Sequence, residues 1–239
     1  MKPGGAEDPG RVAPAPLRAL LFDLDGTLID TAPELALALN RTLASTGRPS
    51  VSDEQVRAWI GDGARALIGK AIGGPVPETV WQSFSAVYFE CCGTGSALFP
   101  GVREMLAHCH AAGIKLAVLT NKEARFAHKV LAAHDLLAPF DLIVAGDTLP
   151  VKTPDPAVVR HALDALEVNA DEAALVGDSV TDVRCAHAAG VPAWIVHHGY
   201  PAGEFGGSDL PDAWIDSFER FDPRQMAGGA AGLRLQSIT

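Results

Sequence analysis

The chain is poor in several things, and each shortage closes a class of function. Charged residues make up only 20% of the 239 positions, too few for a disordered polyampholyte. Basic residues are outnumbered, 19 Lys and Arg against 29 Asp and Glu, for a formal net charge of −10. A negative field of that size repels a polyphosphate backbone, which argues against a nucleic-acid partner. No apolar run approaches ~18 residues, so no membrane-spanning helix and no membrane partner are expected. Cysteine is limited to Cys91, Cys92, Cys109 and Cys185, with no C-x-x-C pair. The chain is long and has no secretory apolar segment, so these four read as reduced thiols in a cytoplasmic protein rather than a disulfide framework. What is plentiful is apolar surface: 48% of the residues, enough for a substantial core.

That apolar content is distributed in two rhythms. Short apolar runs, 18–22, 114–119, 142–145 and 173–176, each continuous, then 193–196 and a short candidate at 213–215, alternate with helix-like segments over 101–112, 124–134, 156–166 and 182–189. Continuous rather than alternating runs suit strands covered on both faces. Strand and helix in alternation predict an α/β fold with a doubly wound parallel sheet. Residues 32–97 break the rhythm. They hold no convincing strand and read as four helices, 33–45, 52–59, 63–72 and 77–91, the second opened by a Ser52/Gln55 capping box. We therefore expect a core of 17–31 and 98–222 with an inserted all-helical cap at 32–97. A Pro/Gly/Ala-rich arm at 1–16 and a Gly-rich tail at 223–239 should be loose.

Polar clusters follow four of the predicted strands: Asp23/Asp25, Thr120/Asn121, the loop from Asp147 to Lys152, and Asp178/Ser179/Asp182. In a doubly wound sheet the carboxyl ends of the strands converge on one crevice. Asp23 and Asp25, two apart on an extended segment, face the same way and repel unless a cation or a shared proton relieves them. With Asp178 they make three acids and no obvious fixed cation, a set that suits a hard divalent ion such as Mg²⁺. Taken alone, Asp-x-Asp-Gly-Thr is also an ordinary turn after a strand, and Thr-Asn an ordinary helix cap. The coincidence of all four clusters is what favours chemistry.

Three of these segments resemble the motifs of the haloacid dehalogenase-like superfamily: Phe22-Asp23-Leu24-Asp25-Gly26-Thr27-Leu28, Leu119-Thr120-Asn121, and Gly177-Asp178-Ser179-Val180-Thr181-Asp182. The resemblance extends over about 17–222. It implies Asp23 as a nucleophile that becomes an aspartyl phosphate, and Asp25 as general acid and then base. It implies Mg²⁺ held by Asp23, the Asp25 carbonyl and Asp178, with Ser179 and Asp182 behind them. Gly26, Thr27, Thr120 and Asn121 would hold the phosphoryl group. The family's third motif carries a lysine directly before Pro-x-Pro; here Thr153 has that slot and Lys152 precedes it. Lys152 is expected to reach the phosphoryl site on its long stem, with Thr153 as the alternative.

Finer similarity points to phosphoglycolate phosphatases, through Trp59-Ile60-Gly61-Asp62-Gly63-Ala64, Phe99-Pro100-Gly101-Val102 and Ala145-Gly146-Asp147-Thr148-Leu149-Pro150. A small anionic phosphate ester, 2-phosphoglycolate, is then the expected substrate, with Arg65 of the cap as a carboxylate clamp or else an ordinary solvated helix charge. Sugar-phosphate phosphatases of the N-acetylmuramate 6-phosphate type and β-phosphoglucomutase-like enzymes resemble the same motifs. Asp25 speaks against a dehalogenase, which has no leaving oxygen to protonate. A non-catalytic binding protein would be expected to lack one of the aspartates. His108-Cys109-His110 sits on a predicted helix with its side chains diverging, and His197-His198 reads as loop surface. Monomer and homodimer are both compatible with the sequence.

Overall fold

A computed structural model describes residues 15–200 and 203–223. The expected loose arm and tail lie outside these apart from residues 15, 16 and 223. Six parallel strands form one sheet: β1 (Ala19–Phe22), β4 (Lys115–Leu119), β5 (Leu142–Val144), β6 (Ala173–Gly177), β7 (Ala193–Val196) and β8 (Ala213–Ile215). Their order is β5-β4-β1-β6-β7-β8. The chain starts at the centre and winds outward both ways, so β1, β4 and β6 place their carboxyl ends side by side at the switch in winding direction.

Both faces of the sheet are covered, which is why its strands are continuously apolar. Leu20, Phe22, Leu116 and Val118 face one core, packed by α5 (Val102–Ala111) and α6 (Ala124–Ala133) through Met105, Leu106, Phe126 and Val130. Ala19, Leu21, Ala117 and Leu119 face the other, against α7 (Ala157–Leu166) and α8 (Val180–Ala189) through Val158, Val159, Val183 and Ala186.

Four helices lie between β1 and α5: α1 (Ala32–Ser45), α2 (Asp53–Trp59), α3 (Ala64–Ile72) and α4 (Glu78–Cys91). The Ser52/Gln55 capping box closes α2 at both bonds, 3.2 and 2.9 Å. The apolar faces of these helices, with Leu35, Val56, Leu67 and Phe84, join the first of the two cores rather than forming their own. Where the chain leaves and re-enters the core, an unexpected ribbon forms. β2 (Ile29–Asp30) pairs antiparallel with β3 (Ala97–Leu98). Strands of two residues carry no readable period, so the sequence shows neither half of this ribbon, and the expected cap boundary between 97 and 98 falls inside it.

The four cysteines are free and buried. Burial pushes the thiols of Cys92, Cys109 and Cys185 up to about 12, leaving them unreactive at neutral pH. Cys109 points into the core while His108 and His110 are exposed, so that triplet does not converge. No helix among the described residues is long and apolar enough to cross a membrane.

Candidate active site

The site begins where β1 runs out. The Asp23 N–H still bonds the Val176 carbonyl of β6 at 2.9 Å, so the nucleophile candidate is held by the sheet itself. The chain then turns sharply at Gly26, whose φ is +94°. A Cβ there would overlap the Asp178 carboxylate and crowd the Tyr200 ring at 2.8 Å. Glycine is required on both counts. Gly26→Ala should cost roughly 2–4 kcal/mol, read from urea unfolding, and should lower activity with it by displacing Asp178.

Asp23, Asp178 and Asp182 bring three carboxylate oxygens within 4.8 Å of one another. Burial raises all three above the ordinary value of 3.8, and for Asp23 the charges of Asp182, Asp178 and Asp25 add to it. Asp182 is steadied on one oxygen by the Ser179 hydroxyl at 2.7 Å and by the N–H groups of Ser179 and Asp178 at 3.1 and 3.3 Å. Asp178 accepts the Tyr200 N–H at 2.7 Å. Three crowded, dehydrated carboxylates with only oxygen to offer are the donor set of a hard divalent cation. The fit is to a cation that neutralises them, since without one they repel.

Asp25 has a different neighbourhood. Lys122 Nζ donates to both of its oxygens, at 2.8 and 2.9 Å, and the Thr31 hydroxyl donates to one at 2.6 Å. Lys122 is 6% exposed, and its ammonium also lies 5.1 Å from the centre of the Tyr88 ring of α4. The fixed cation that the sequence did not reveal is therefore present. It serves Asp25 and leaves the acidic trio to itself. The sole signal was its position directly after Thr120-Asn121, in a turn where a lysine normally faces solvent.

Two cavities meet at Asp23 and Asp25. One holds Asp178, Ser179, Thr181, Asp182, Thr153 and Tyr200 beside them. The other runs under the cap, bounded by Thr120, Asn121 and Lys122 on the core side and by Leu35, Ile60, Gly63, Leu67 and Tyr88 on the cap side. It encloses about 470 Å³ when counted to its open mouth. The Asn121 side chain ties the two layers: it donates to the Gly61 carbonyl of the cap at 2.8 Å and exchanges bonds with the Thr153 backbone at 3.1 and 3.2 Å.

Other expected residues lie elsewhere. Gly26 and Thr27 do not line either cavity; they shape the turn behind it, and the Thr27 hydroxyl is buried with no partner among the described residues. Arg65 is turned away from the site. Its guanidinium pairs with Glu78 at 2.9 Å and stacks 4.4 Å from the Trp81 ring, both on the cap. Lys152 is exposed at the rim, its ammonium 3.4 Å from where a Cβ on Gly63 would sit, beside the Asn121 carbonyl. The cation in hydrogen-bond contact with a motif carboxylate is Lys122, from a different loop. His198 binds the Thr27 carbonyl at 3.0 Å and His197 stacks on Trp214, so neither enters the cavities.

Tyr200 was also missed. Its hydroxyl donates to Asp30 at 2.7 Å and accepts from the N–H groups of Thr31 and Ala32 at 2.8 and 3.0 Å. Arg57 of α2 clasps the same Asp30 carboxylate at 3.1 and 3.0 Å. The result is a polar seam from cap to hinge to Asp178.

Residues 20–196 match the family model of haloacid dehalogenase-like hydrolases. The chain belongs to that family. A phosphoglycolate phosphatase of Colwellia psychrerythraea is 37% identical to this hydrolase over 209 residues, covering 83% of this chain and 92% of the relative. Among solved structures, one from Haemophilus somnus described as a predicted phosphoglycolate phosphatase superposes with a TM-score of 0.78. It is 30% identical, covering 85% of this chain and 95% of the other. CbbY from Rhodobacter sphaeroides, solved in complex with phosphate, gives 0.74 at 29% identity, with 85% and 96% covered. This hydrolase sets its acidic motifs at the carboxyl edge of a parallel sheet under helices.

Proposed function

We propose that the protein is a Mg²⁺-dependent phosphatase of 2-phosphoglycolate, releasing glycolate and phosphate. The observation that carries the reading is that Asp23 and Asp25 stand together at the junction of two compartments, one lined by further carboxylates and one closed over by the cap. A phosphate ester entering from the cap side meets a nucleophile on one flank and a proton donor on the other. The similarity to phosphoglycolate phosphatases supports the choice of substrate.

A carboxylate oxygen of Asp23 attacks phosphorus, and the bond from phosphorus to the glycolate oxygen breaks. Asp25 gives its proton to that leaving oxygen, then takes one from the water that attacks the aspartyl phosphate. Phosphate leaves and the Asp23 carboxylate is restored. Thr120, buried at the end of β4, and the neighbouring Asn121 hold the phosphoryl oxygens. Asp23 and Asp178, with Asp182 beside them, would hold the Mg²⁺, which when bound screens the nucleophile from the charge of the phosphate. Closing the cap excludes water from the first step.

Phosphate release from a panel of esters, with Mg²⁺ and with EDTA, tests this. The highest kcat/KM is expected for 2-phosphoglycolate and only with Mg²⁺. Inert esters throughout would sink the phosphatase reading. Preference for a sugar phosphate would sink the substrate alone.

A further inference from the structure

Resting on that phosphatase reading, we propose that Lys122 is the residue that selects the substrate, its ammonium bridging Asp25 and a carboxylate carried on the carbon next to the ester oxygen. The ligand class is the phosphate monoester of a short 2-hydroxy acid.

The cap-side cavity offers few charged groups besides Lys122. Its cap-side lining is apolar at Leu35, Ile60, Ala64 and Leu67, and Phe126 continues that surface from the core. Lys122 is the one side-chain cation lining it among the described residues. The arginine in the cap that could have served, Arg65, is occupied by Glu78 and Trp81 outside the cavity. Lys152, the next ammonium, stands at the rim against Gly63, so a second anion held inside the cavity has Lys122 as its one charged partner, and burial without a partner is strongly unfavourable.

Distance then limits which anion qualifies. Lys122 Nζ is 2.8 and 2.9 Å from the two Asp25 oxygens. To act on the ester, Asp25 must come within about 3 Å of the leaving oxygen. The ammonium is therefore held one hydrogen bond beyond the group that touches that oxygen. A carboxylate one carbon away from the ester oxygen falls within a further charge-assisted bond, about 2.7–2.9 Å. An anionic group several atoms farther along, as on a longer sugar phosphate, is carried past Lys122 onto the apolar wall.

Donor capacity agrees. An ammonium has three N–H groups, and Asp25 takes two. The third is left to meet the substrate while Lys122 stays in contact with Asp25. The ring of Tyr88, 5.1 Å away, backs the ammonium from the cap side, and the Tyr88 hydroxyl is itself fixed by Glu34 at 3.1 Å. The lysine is thus held in place before substrate arrives, with no reorganisation needed on binding.

Because Lys122 also touches Asp25, its removal will slow every substrate to some degree. The ratio between two esters separates the roles. The experiment compares kcat/KM for 2-phosphoglycolate and for 2-hydroxyethyl phosphate, the same skeleton with an alcohol in place of the carboxylate, in wild type, Lys122→Met and Lys122→Arg. The wild type should prefer the carboxylate by on the order of 10²–10³-fold, the range of a buried charge pair. Lys122→Met should erase that preference, and Lys122→Arg should keep part of it. As a check that needs no turnover, the affinity for 3-phosphonopropionate over propylphosphonate should collapse in Lys122→Met alone. Equal losses on both esters, with the phosphonate preference intact, would overturn the proposal and leave Lys122 a partner of Asp25 only. A wild type that prefers the neutral ester overturns the proposed substrate, and this inference with it. A Lys122→Met chain that fails to fold leaves Lys122→Arg to decide. A carboxylate preference in Lys122→Arg undiminished from wild type overturns the proposal.

Discussion

Asp23→Asn is expected to abolish phosphate release, lowering kcat by about 10⁴-fold or more, the scale seen when a covalent nucleophile is removed. The amide is nearly the same size as the carboxylate and the Asp23 N–H keeps its bond to Val176, so the fold should survive. What is lost is the anionic oxygen that attacks. The variant should also be more stable than wild type when no metal is bound. Burial and the neighbouring Asp182, Asp178 and Asp25 all oppose the charge that the asparagine lacks. Activity assays beside urea melts in EDTA give both readings. Loss of stability together with activity would instead mean that residue 23 is structural.

Metal removal should have an effect of similar size. Chelation is expected to lower kcat/KM by about 10²–10⁴-fold, several kcal/mol of charge stabilisation, with recovery on adding Mg²⁺. Asp178→Asn should reproduce the loss and resist rescue. The replacement amide oxygen can still accept the Tyr200 N–H that Asp178 accepts at 2.7 Å, so packing is preserved and the lost charge is isolated.

Stability against pH then gives an independent measure. Asp178 is raised in the folded protein, by burial first and by Asp182 next, above the ordinary 3.8. The metal-free folded state therefore binds more protons than the unfolded chain. Its stability should fall as pH rises from about 4 through the raised value, with the full penalty present above that value. Asp30, Glu172 and Asp209 are lowered by their arginine partners and backbone bonds and pull the other way, so the wild-type curve alone is a sum. The difference between wild type and Asp178→Asn, both in EDTA, removes those shared contributions. It should be near zero at pH 4 and favour the variant at neutral pH. With Mg²⁺ at 100 times its dissociation constant the wild type should regain about 2.7 kcal/mol, and the variant little. A difference that does not change with pH would show that Asp178 is not the strained carboxylate described here.

The seam joining Asp30, Arg57 and Tyr200 shows how these groups depend on distant chain segments. Arg57 comes from the cap, Asp30 from the hinge and Tyr200 from the loop after β7, yet the Tyr200 backbone holds Asp178. Arg57 raises no signal in the sequence beyond that of a surface helix charge.

By itself the sequence determined the sheet, the helical insertion and the acidic edge. Those follow from local regularities: the continuous apolar runs of β1, β4 and β6, the helical period of 32–91, and carboxylates immediately after strands whose ends a parallel winding must bring together. The Asp23, Asp25 and Asp178 positions were legible for that reason. Tertiary structure alone decided which cation meets Asp25. Lys122 and Lys152 both follow strands, and nothing local distinguishes their side chains. Lys122 is turned inward because Asp25, 97 positions away in sequence, and the Tyr88 ring of the cap meet its ammonium from two sides. Arg65 is turned outward because Glu78 and Trp81 meet it first. A long side chain goes where its partners are: Arg65 finds both of its own within the cap, whereas Lys122 meets Asp25 of the core and the Tyr88 ring that only the folded cap brings over it.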